Sequence, residues 1–498
     1  MASRPIHARH PGDRLQAVGQ RPRWFTRPAT IALSVIPFVI LGLAPQDAWS
    51  AGLLAYANAL IIGVAAIRFL KQGTLQGLIP VLFLLWLGVG WVLGTIYFAA
   101  FLPEMTYKTV NDERLMLHGN AGLQLKVFVF LLIYLGTFST FASRRMKLSE
   151  YRAAPREATR FALAAMALFV PGLLLNAVNK AVGLPGPLEY VANGANLYLA
   201  ALPLTVGAMF AHIGFPLKVI TLVFLAAIAG FNVLGNARGD AAMPLAMFTL
   251  GYLLLSGVSQ QRKFMSMIVG TVAFLAIVVI GDTTRTVLKG IGFGDLSARV
   301  EALSQWQEVA ARTSPFAKTF GRLFWTAGHT ILTLVPDSYT YVDFSVGPFI
   351  KEFFLRQLPG KLVATPAYYS SPERLRAYDF NITDVTSVEL SFLGSLWMLG
   401  GWPPLLAGSV AVAVLHVLLS HLIAAMARRS GYMAIFFFSM VAMALVWAQN
   451  LDIISQTRWL NWRLAIAAVL YVLMVGPLVR APRQSAAAPP LPRAWRPA

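Results

Sequence analysis

The side chains of this chain that could do chemistry are few and mostly basic. Arg238 stands in LGNARGD, flanked by Gly235 and Gly239, between two apolar stretches. Glycine lets a ligand approach the backbone closely, and the planar guanidinium makes paired, charged hydrogen bonds to a phosphate. An interfacial Arg satisfied by Asp240 or by lipid headgroups is the plainer reading. Arg285, in GDTTRTVLKG, follows the next apolar stretch but one. Two such arginines on neighbouring ends could clamp a diphosphate and stabilise it as negative charge builds on departure; a loop anchor is the alternative. Arg322, four residues beyond Lys318, is a third cation, unless it is a solvated ion-pair partner.

His329, in GRLFWTAGHTILTLVPD, is the candidate base, because an imidazole of reference pKa about 6.5 can take a proton from a hydroxyl. It lies seven residues after Arg322. On a helix that is two turns, so both could face one cavity. A packed histidine is the competing account. Asp343, Glu352, Asp384 and Glu389 are rival bases. The other histidines are scattered: His7 and His10 in the basic N-terminal stretch, His118 in a loop, and His212, His416 and His421 toward inner helix ends. No HExxH spacing implies a metal, and cysteine is absent. No Walker A, dinucleotide or GxSxG pattern is present, so nothing points to ATP, a nucleotide cofactor or a hydrolase elbow.

The elements that must position these groups are apolar. Of 498 residues 57% are hydrophobic and 12% charged, and the mean hydropathy is +0.63. A soluble enzyme carries roughly twice that charged fraction, and a disordered chain far fewer apolar residues. Twelve stretches have the length and character of membrane spans: 29–45, 51–69, 76–99, 122–141, 161–178, 195–213, 217–233, 241–257, 265–281, 402–424, 431–450 and 464–479. Pro171, Pro203 and Pro216 fall in or beside them, tolerable where freed carbonyls face protein. The expected fold is an all-α polytopic membrane protein of about 12 transmembrane helices with a large, mostly helical external loop.

The net charge of +20 tests that layout. The segments assigned inside, including 1–28, 142–160 and the tail from Arg480, carry the whole excess. Every other charge, Lys126 near the outer end of the fourth span among them, cancels. This is the positive-inside pattern, so the basicity belongs to topology and not to a nucleic-acid partner. Both termini are then cytoplasmic. The division that follows is a basic tail 1–28, a nine-span block 29–281, an external domain 282–387, a re-entry segment with three spans over 388–479, and a Pro/Ala-rich tail 480–498.

A 106-residue segment should be folded. Helical spacing recurs over 291–320, from Gly321 to Leu334, and from Val346 to Leu358. The last places Phe349, Ile350, Phe353, Phe354 and Leu358 on one face, with Lys351, Glu352 and Arg356 opposite, as in a helix lying at a bilayer surface or packed on neighbouring loop helices. After it, Gly400, Gly401, Pro403 and Pro404 interrupt an apolar run, as a re-entrant or interfacial helix leading into a span would.

Three stretches carry a resemblance: GNARGD (235–240), the loop from GRLFWTAGHTILTLVPD through YVDFSVGPFIKEFFLRQLPGKLVATPAYY, and TSVELSFLGSLWMLGGWPPLLAG (386–408). Together they resemble the bacterial O-antigen and exopolysaccharide repeat-unit polymerases, the Wzy family. These belong to a wider class of polytopic lipid-linked-sugar transferases that includes the O-antigen ligases. The resemblance implies a GT-C-like helical bundle in the bacterial inner membrane. It would polymerise undecaprenyl-diphosphate-linked oligosaccharide repeats at the periplasmic face, with inversion and without cofactor or metal. On that reading Arg238 and Arg285 bind diphosphate, and Arg322 supports them or holds the acceptor. His329 is the base, with Asp343 and Glu352 in reserve, and Arg356 and Lys361 are further substrate-binding residues. The family commonly has Pro–Arg after its amphipathic helix, where this chain has Pro359, Gly360 and Lys361. A lipid-linked-repeat flippase and a chain-length regulator are the implied partners. A ligase acting on lipid A core and a flippase are the competing functions.

Overall fold

The computed structural model describes residues 48–71, 75–104, 106–108, 114–116, 121–142, 155–184, 188, 192, 202–234, 238–288, 290–291, 295–308, 346–357, 392–398, 401–427 and 431–448. The regular secondary structure among these residues is helical except for one short hairpin. Helix α1 (Ala48–Lys71) is followed by α2 (Leu75–Leu87), which passes through a π-helical segment, Gly88–Leu93, into α3 (Gly94–Phe101). Strands β1 (Thr106–Lys108) and β2 (Arg114–Met116) pair antiparallel with Tyr107 opposite Leu115. Then come α4 (Ala121–Phe141), α5 (Pro155–Val182), α6 (Leu202–His212), α7 (Phe215–Leu234), α8 (Arg238–Leu255) and α9 (Gln260–Val287). The chain continues with α10 (Leu296–Ser304), α11 (Val346–Gln357), α12 (Phe392–Met398), α13 (Trp402–Ala427) and α14 (Gly431–Ala448).

Among the described residues, six helical stretches are long and apolar enough to cross a bilayer: Ala48–Leu70, Gly77–Phe101, Ala121–Phe141, Phe215–Val233, Gln261–Val287 and Trp402–Ala425. This is the construction of a polytopic helical membrane protein. Ten of the twelve expected spans overlap described residues, and each overlaps a helix; 29–45 and 464–479 lie outside them. The loop helix expected over 321–334 also lies outside. The hairpin was not anticipated, since strands of three residues leave no periodicity to read.

Direction within the bundle follows from side-chain contacts. Asn58 of α1 bonds Gln124 of α4, and farther along both helices the Phe69 and Phe138 rings meet edge to face at 5.6 Å. Those helices are therefore parallel. Tyr134 of α4 bonds His416 of α13, while Lys126 meets Trp397 just before α13 begins, so α13 runs the same way. The α2–α3 unit returns between them, with Gly52 near the start of α1 against Ala99 near the end of α3. Phe83, Phe130, Tyr134 and Phe138 fill the seam.

A second group is assembled on small residues. Helices α6 and α8 touch backbone to backbone at Gly207 and Gly251. A Cβ on Gly207 would strike the Phe248 carbonyl, and one on Gly251 the Leu204 carbonyl. Without a hydrophobic drive between helices in lipid, such close approach supplies the dispersion contact that holds them. Gly270 of α9 likewise accepts the Thr249 side chain of α8, and Thr205 of α6 bonds Ser439 of α14 at 2.8 Å. Only 6% of the α9 span window is buried; Phe264, Met265, Val269 and Val272 present an apolar surface suited to lipid.

Past α9 the chain turns at Gly290, whose φ of 88° suits glycine. Asp295 caps α10, its carboxylate accepting from the Ala298 N–H at 3.1 Å and the Ser297 hydroxyl at 2.9 Å. Arg299 reaches back to the Ile291 carbonyl at 2.7 Å. The Ala298 N–H, then Ser297 and Arg299, hold the Asp295 carboxyl below its ordinary range.

Two outcomes follow. Gly207→Ala and Gly251→Ala each destabilise by about 1–3 kcal/mol through overpacking. Gly136→Ala, with nothing within 4 Å of the added methyl, leaves the melting temperature of the detergent-solubilised protein unchanged. The cap is present above the ordinary carboxylate pKa and is lost as pH falls through the lower folded value. Asp295→Ala therefore lowers the exchange protection factor of the Ala298 amide at neutral pH, whereas in the parent that factor falls only below pH about 4.

Candidate functional site

Arg238 is the first residue of α8 and Arg285 lies in the last turn of α9. The two helices form a tight hairpin pinned where Gly270 meets Thr249. From that contact Arg238 is about 17 Å back along α8 and Arg285 about 23 Å on along α9 at 1.5 Å per residue. Both therefore stand at one end of the hairpin, within roughly a turn of each other in height. Arg285 is exposed, while Thr283 and Thr284 beneath it are buried. The last turn of a helix favours a cation, so dipole complementarity alone accounts for Arg285. Arg238 has no such account. A cation at a helix N-terminus opposes the dipole, whereas the unpaired N–H groups there suit an anion.

The re-entry segment forms a second constellation. Helix α12 is buried along Phe392, Leu393, Leu396 and Trp397. Gly401, at φ 74°, donates to the Trp397 carbonyl at 2.8 Å and reverses the chain into α13. Pro403 and Pro404 then occupy the first turn, where their missing N–H groups cost nothing. Leu396 packs where a Cβ on Gly408 would stand, and Phe392 meets the Phe130 ring. Lys126 is 5% exposed, and its Nζ lies 3.7 Å from the centre of the Trp397 ring. A buried ammonium within a span is costly and functional by default. The sequence showed the charge inside an apolar run, but not what it would face.

In the same seam, nearer the start of α4, is a polar node joining three spans. Asn58 Nδ2 donates to the Gln124 carbonyl and Oε1, at 3.0 and 2.9 Å. Gln124 Nε2 donates to the Trp91 carbonyl and Thr95 Oγ1, both at 3.0 Å, and Thr95 donates to the same Trp91 carbonyl. Trp91 belongs to the π-helical turn. Below it, Tyr134 and His416 share a 2.8 Å hydrogen bond, both wholly buried and bordered by Phe83. His416 is thus a packed, bonded histidine past the middle of α13.

Of the loop candidates, Arg356 falls on α11 and Glu352 is 4% exposed there. That corrects the expected facing of α11: Ile350 and Phe354 are exposed while Glu352 turns inward beside the half-buried Phe349 and Phe353. Apolar periodicity marks a stripe but not which side packs once a carboxylate finds partners. Arg322, His329, Asp343 and Lys361 lie outside the described residues, as do the rival bases Asp384 and Glu389. An apolar cleft bordered by Met166, Pro203, Thr221 and Phe248 offers one hydroxyl, Thr221, already bonded to the Leu217 carbonyl. No family model, curated protein or solved structure matches this chain.

Gln124→Leu leaves the Asn58 amide and Trp91 carbonyl with fewer partners in a dry seam. Tyr134→Phe does the same to His416. Each change lowers stability by about 1–3 kcal/mol, read as earlier thermal unfolding in detergent, while Asn58→Leu combined with Gln124→Leu costs less than the two single changes added together.

Proposed function

We propose that the chain is a glycosyltransferase that polymerises undecaprenyl-diphosphate-linked oligosaccharide repeats at the periplasmic face of a bacterial inner membrane. It crosses that membrane about twelve times with both termini cytoplasmic. The observation that carries the reading is the hairpin α8–α9, which lifts Arg238 and Arg285 to one end at similar height. Paired guanidinium groups there suit a diphosphate at the depth where a lipid-linked sugar presents it.

The parallel course of α4 and α13 supports the topology. With five helices, α5 to α9, taken as crossings between them, the segment 282–387 must begin and end on one side. That side is the one on which the hairpin places Arg238 and Arg285, opposite the Lys- and Arg-rich inner segments. The short, buried α12 adds a feature of the re-entry segment.

In the reaction the acceptor hydroxyl attacks the anomeric carbon of the donor's reducing-end sugar. The new carbon–oxygen bond forms as the bond to phosphate breaks, inverting that centre. The hydroxyl proton passes to His329, with Asp343 or Glu352 as substitutes. Undecaprenyl diphosphate departs with its added charge held by Arg238 and Arg285. Arg322, Arg356 and Lys361 bind the remaining anionic and hydroxyl groups. The donor is already activated, so no nucleotide is required. A flippase would supply the repeats and a chain-length regulator would set the product distribution.

Purified protein in nanodiscs should lengthen lipid-linked repeats without an added energy source. Arg238→Ala and Arg285→Ala should each lower the rate at least tenfold, the loss of one charged hydrogen bond. Parent-like rates in both variants would refute the assignment of these arginines, and no lengthening by the parent would refute the function.

A further inference from the structure

The end of the α8–α9 hairpin away from Arg238 and Arg285 carries cations that the reaction proposed above does not use. Lys218 stands in the first turn of α7, and Arg262 and Lys263 stand in the first turn of α9. One contact brings the two helix starts together. His212 Nε2 donates to the Ser256 carbonyl at 3.1 Å, just where α6 gives way to α7 and α8 to α9. Helix α7 also packs on both α8 and α9, so the three cations share one corner of the bundle. The Lys218 ammonium lies 5.7 Å from the centre of the Phe210 ring, and that ring meets Tyr252 of α8 edge to face.

We propose that this corner binds the headgroup of an anionic phospholipid. Local helix energetics does not account for the cations, because the first turn is the positive end of a helix and favours acidic side chains there. Neither first turn has an acid, and no side chain caps the start of α9, although Ser259 occupies the position. The acids of α6 to α9 are Asp240 and Asp282, both at the opposite end. Among the described residues no carboxylate pairs with Lys218, Arg262 or Lys263. Positive-inside bias fixes the side of the membrane on which Lys and Arg fall. It is met equally by cations in the connecting loops, and does not call for them in two adjoining first turns. An external anion answers both the charge and the helix starts.

The apolar side chains around the cations select lipid over a free phosphate. Phe215 is 77% exposed and Phe264 58%, each within the same first turns or directly beside them. The corner thus pairs charge with apolar surface, as a headgroup and its first acyl carbons do. Lys218 and Lys263 are half-buried and Arg262 is exposed. Lysine stems lying along apolar surface with the charge left at headgroup level are the ordinary arrangement at a bilayer interface. A phosphate held between α7 and α9, beside the His212–Ser256 bond, braces the hairpin at the end opposite Arg238 and Arg285.

Fluorescent phosphatidylglycerol, titrated against the full chain in a neutral maltoside detergent, should bind, and phosphatidylcholine should not compete. A cation at a membrane surface is worth about fivefold in affinity. Arg262→Gln, at an exposed position, should therefore weaken the tightest-bound molecule by about that factor. The triple variant Lys218→Gln, Arg262→Gln, Lys263→Gln should weaken it about a hundredfold. A second triple variant, Arg428→Gln, Arg429→Gln, Arg480→Gln, removes the same charge from other basic segments and should bind as the parent does. Saturating phosphatidylglycerol should raise the melting temperature of the parent and of this second variant, but not of the first. Equal weakening in the two triple variants would make the attraction a diffuse field of the basic face and overturn the inference. Parent-like affinity in both Arg262→Gln and the first triple variant would do the same. Displacement of the lipid by millimolar inorganic phosphate would make the occupant a free anion, which equally overturns it.

Discussion

A carbonyl that faces hydrocarbon must be met by protein, because lipid has no donor to give it. The widened turn at Gly88–Leu93 creates that demand inside a span, and Gln124 meets it by donating to Trp91 from a neighbouring helix. Thr95 shares the carbonyl, and Asn58 holds the other end of the Gln124 amide. Three spans are thereby locked at one height. Everything else in the seam inherits that register: the aromatic stack below it, the Tyr134–His416 bond, and the position at which Lys126 meets the re-entry helix.

The node, the Phe69–Phe138 contact and the Tyr134–His416 bond together leave α1, α4 and α13 parallel, an arrangement that no local preference imposes. It brings the start of α4 level with the return of the chain through α12. A lysine six residues into α4 and a tryptophan close to 400 in sequence thereby meet. The second packing group is held by other means. Gly207, Gly251 and Gly270 let backbones and short side chains meet, so α8 and α9 are closely packed although few residues of the α9 span are buried. In such a pair the height of Arg238 and Arg285 is set by helix length.

The two cation sets differ in the kind of order behind them. Arg238 and Arg285 depend on helix ends, which are local features with dipoles of their own. Lys126 depends on burial against an aromatic face, a product of long-range packing.

From the sequence alone, the apolar runs, their flanking charges and the glycine–proline punctuation at 400–404 were enough to place every described candidate span and the break before α13. Hydrophobic length and positive-inside bias are local quantities, and a helix in lipid must satisfy its own backbone. Arg238 and Arg285 were legible for the same reason, as cations at the ends of apolar stretches. Tertiary structure alone decided that Lys126 faces Trp397, that His416 is bonded to Tyr134, that Gln124 answers a π turn, and that Glu352 turns inward while Phe354 does not. Each of these joins groups far apart in the chain or chooses between two faces of one helix, and periodicity shows where a stripe runs without showing what it will meet.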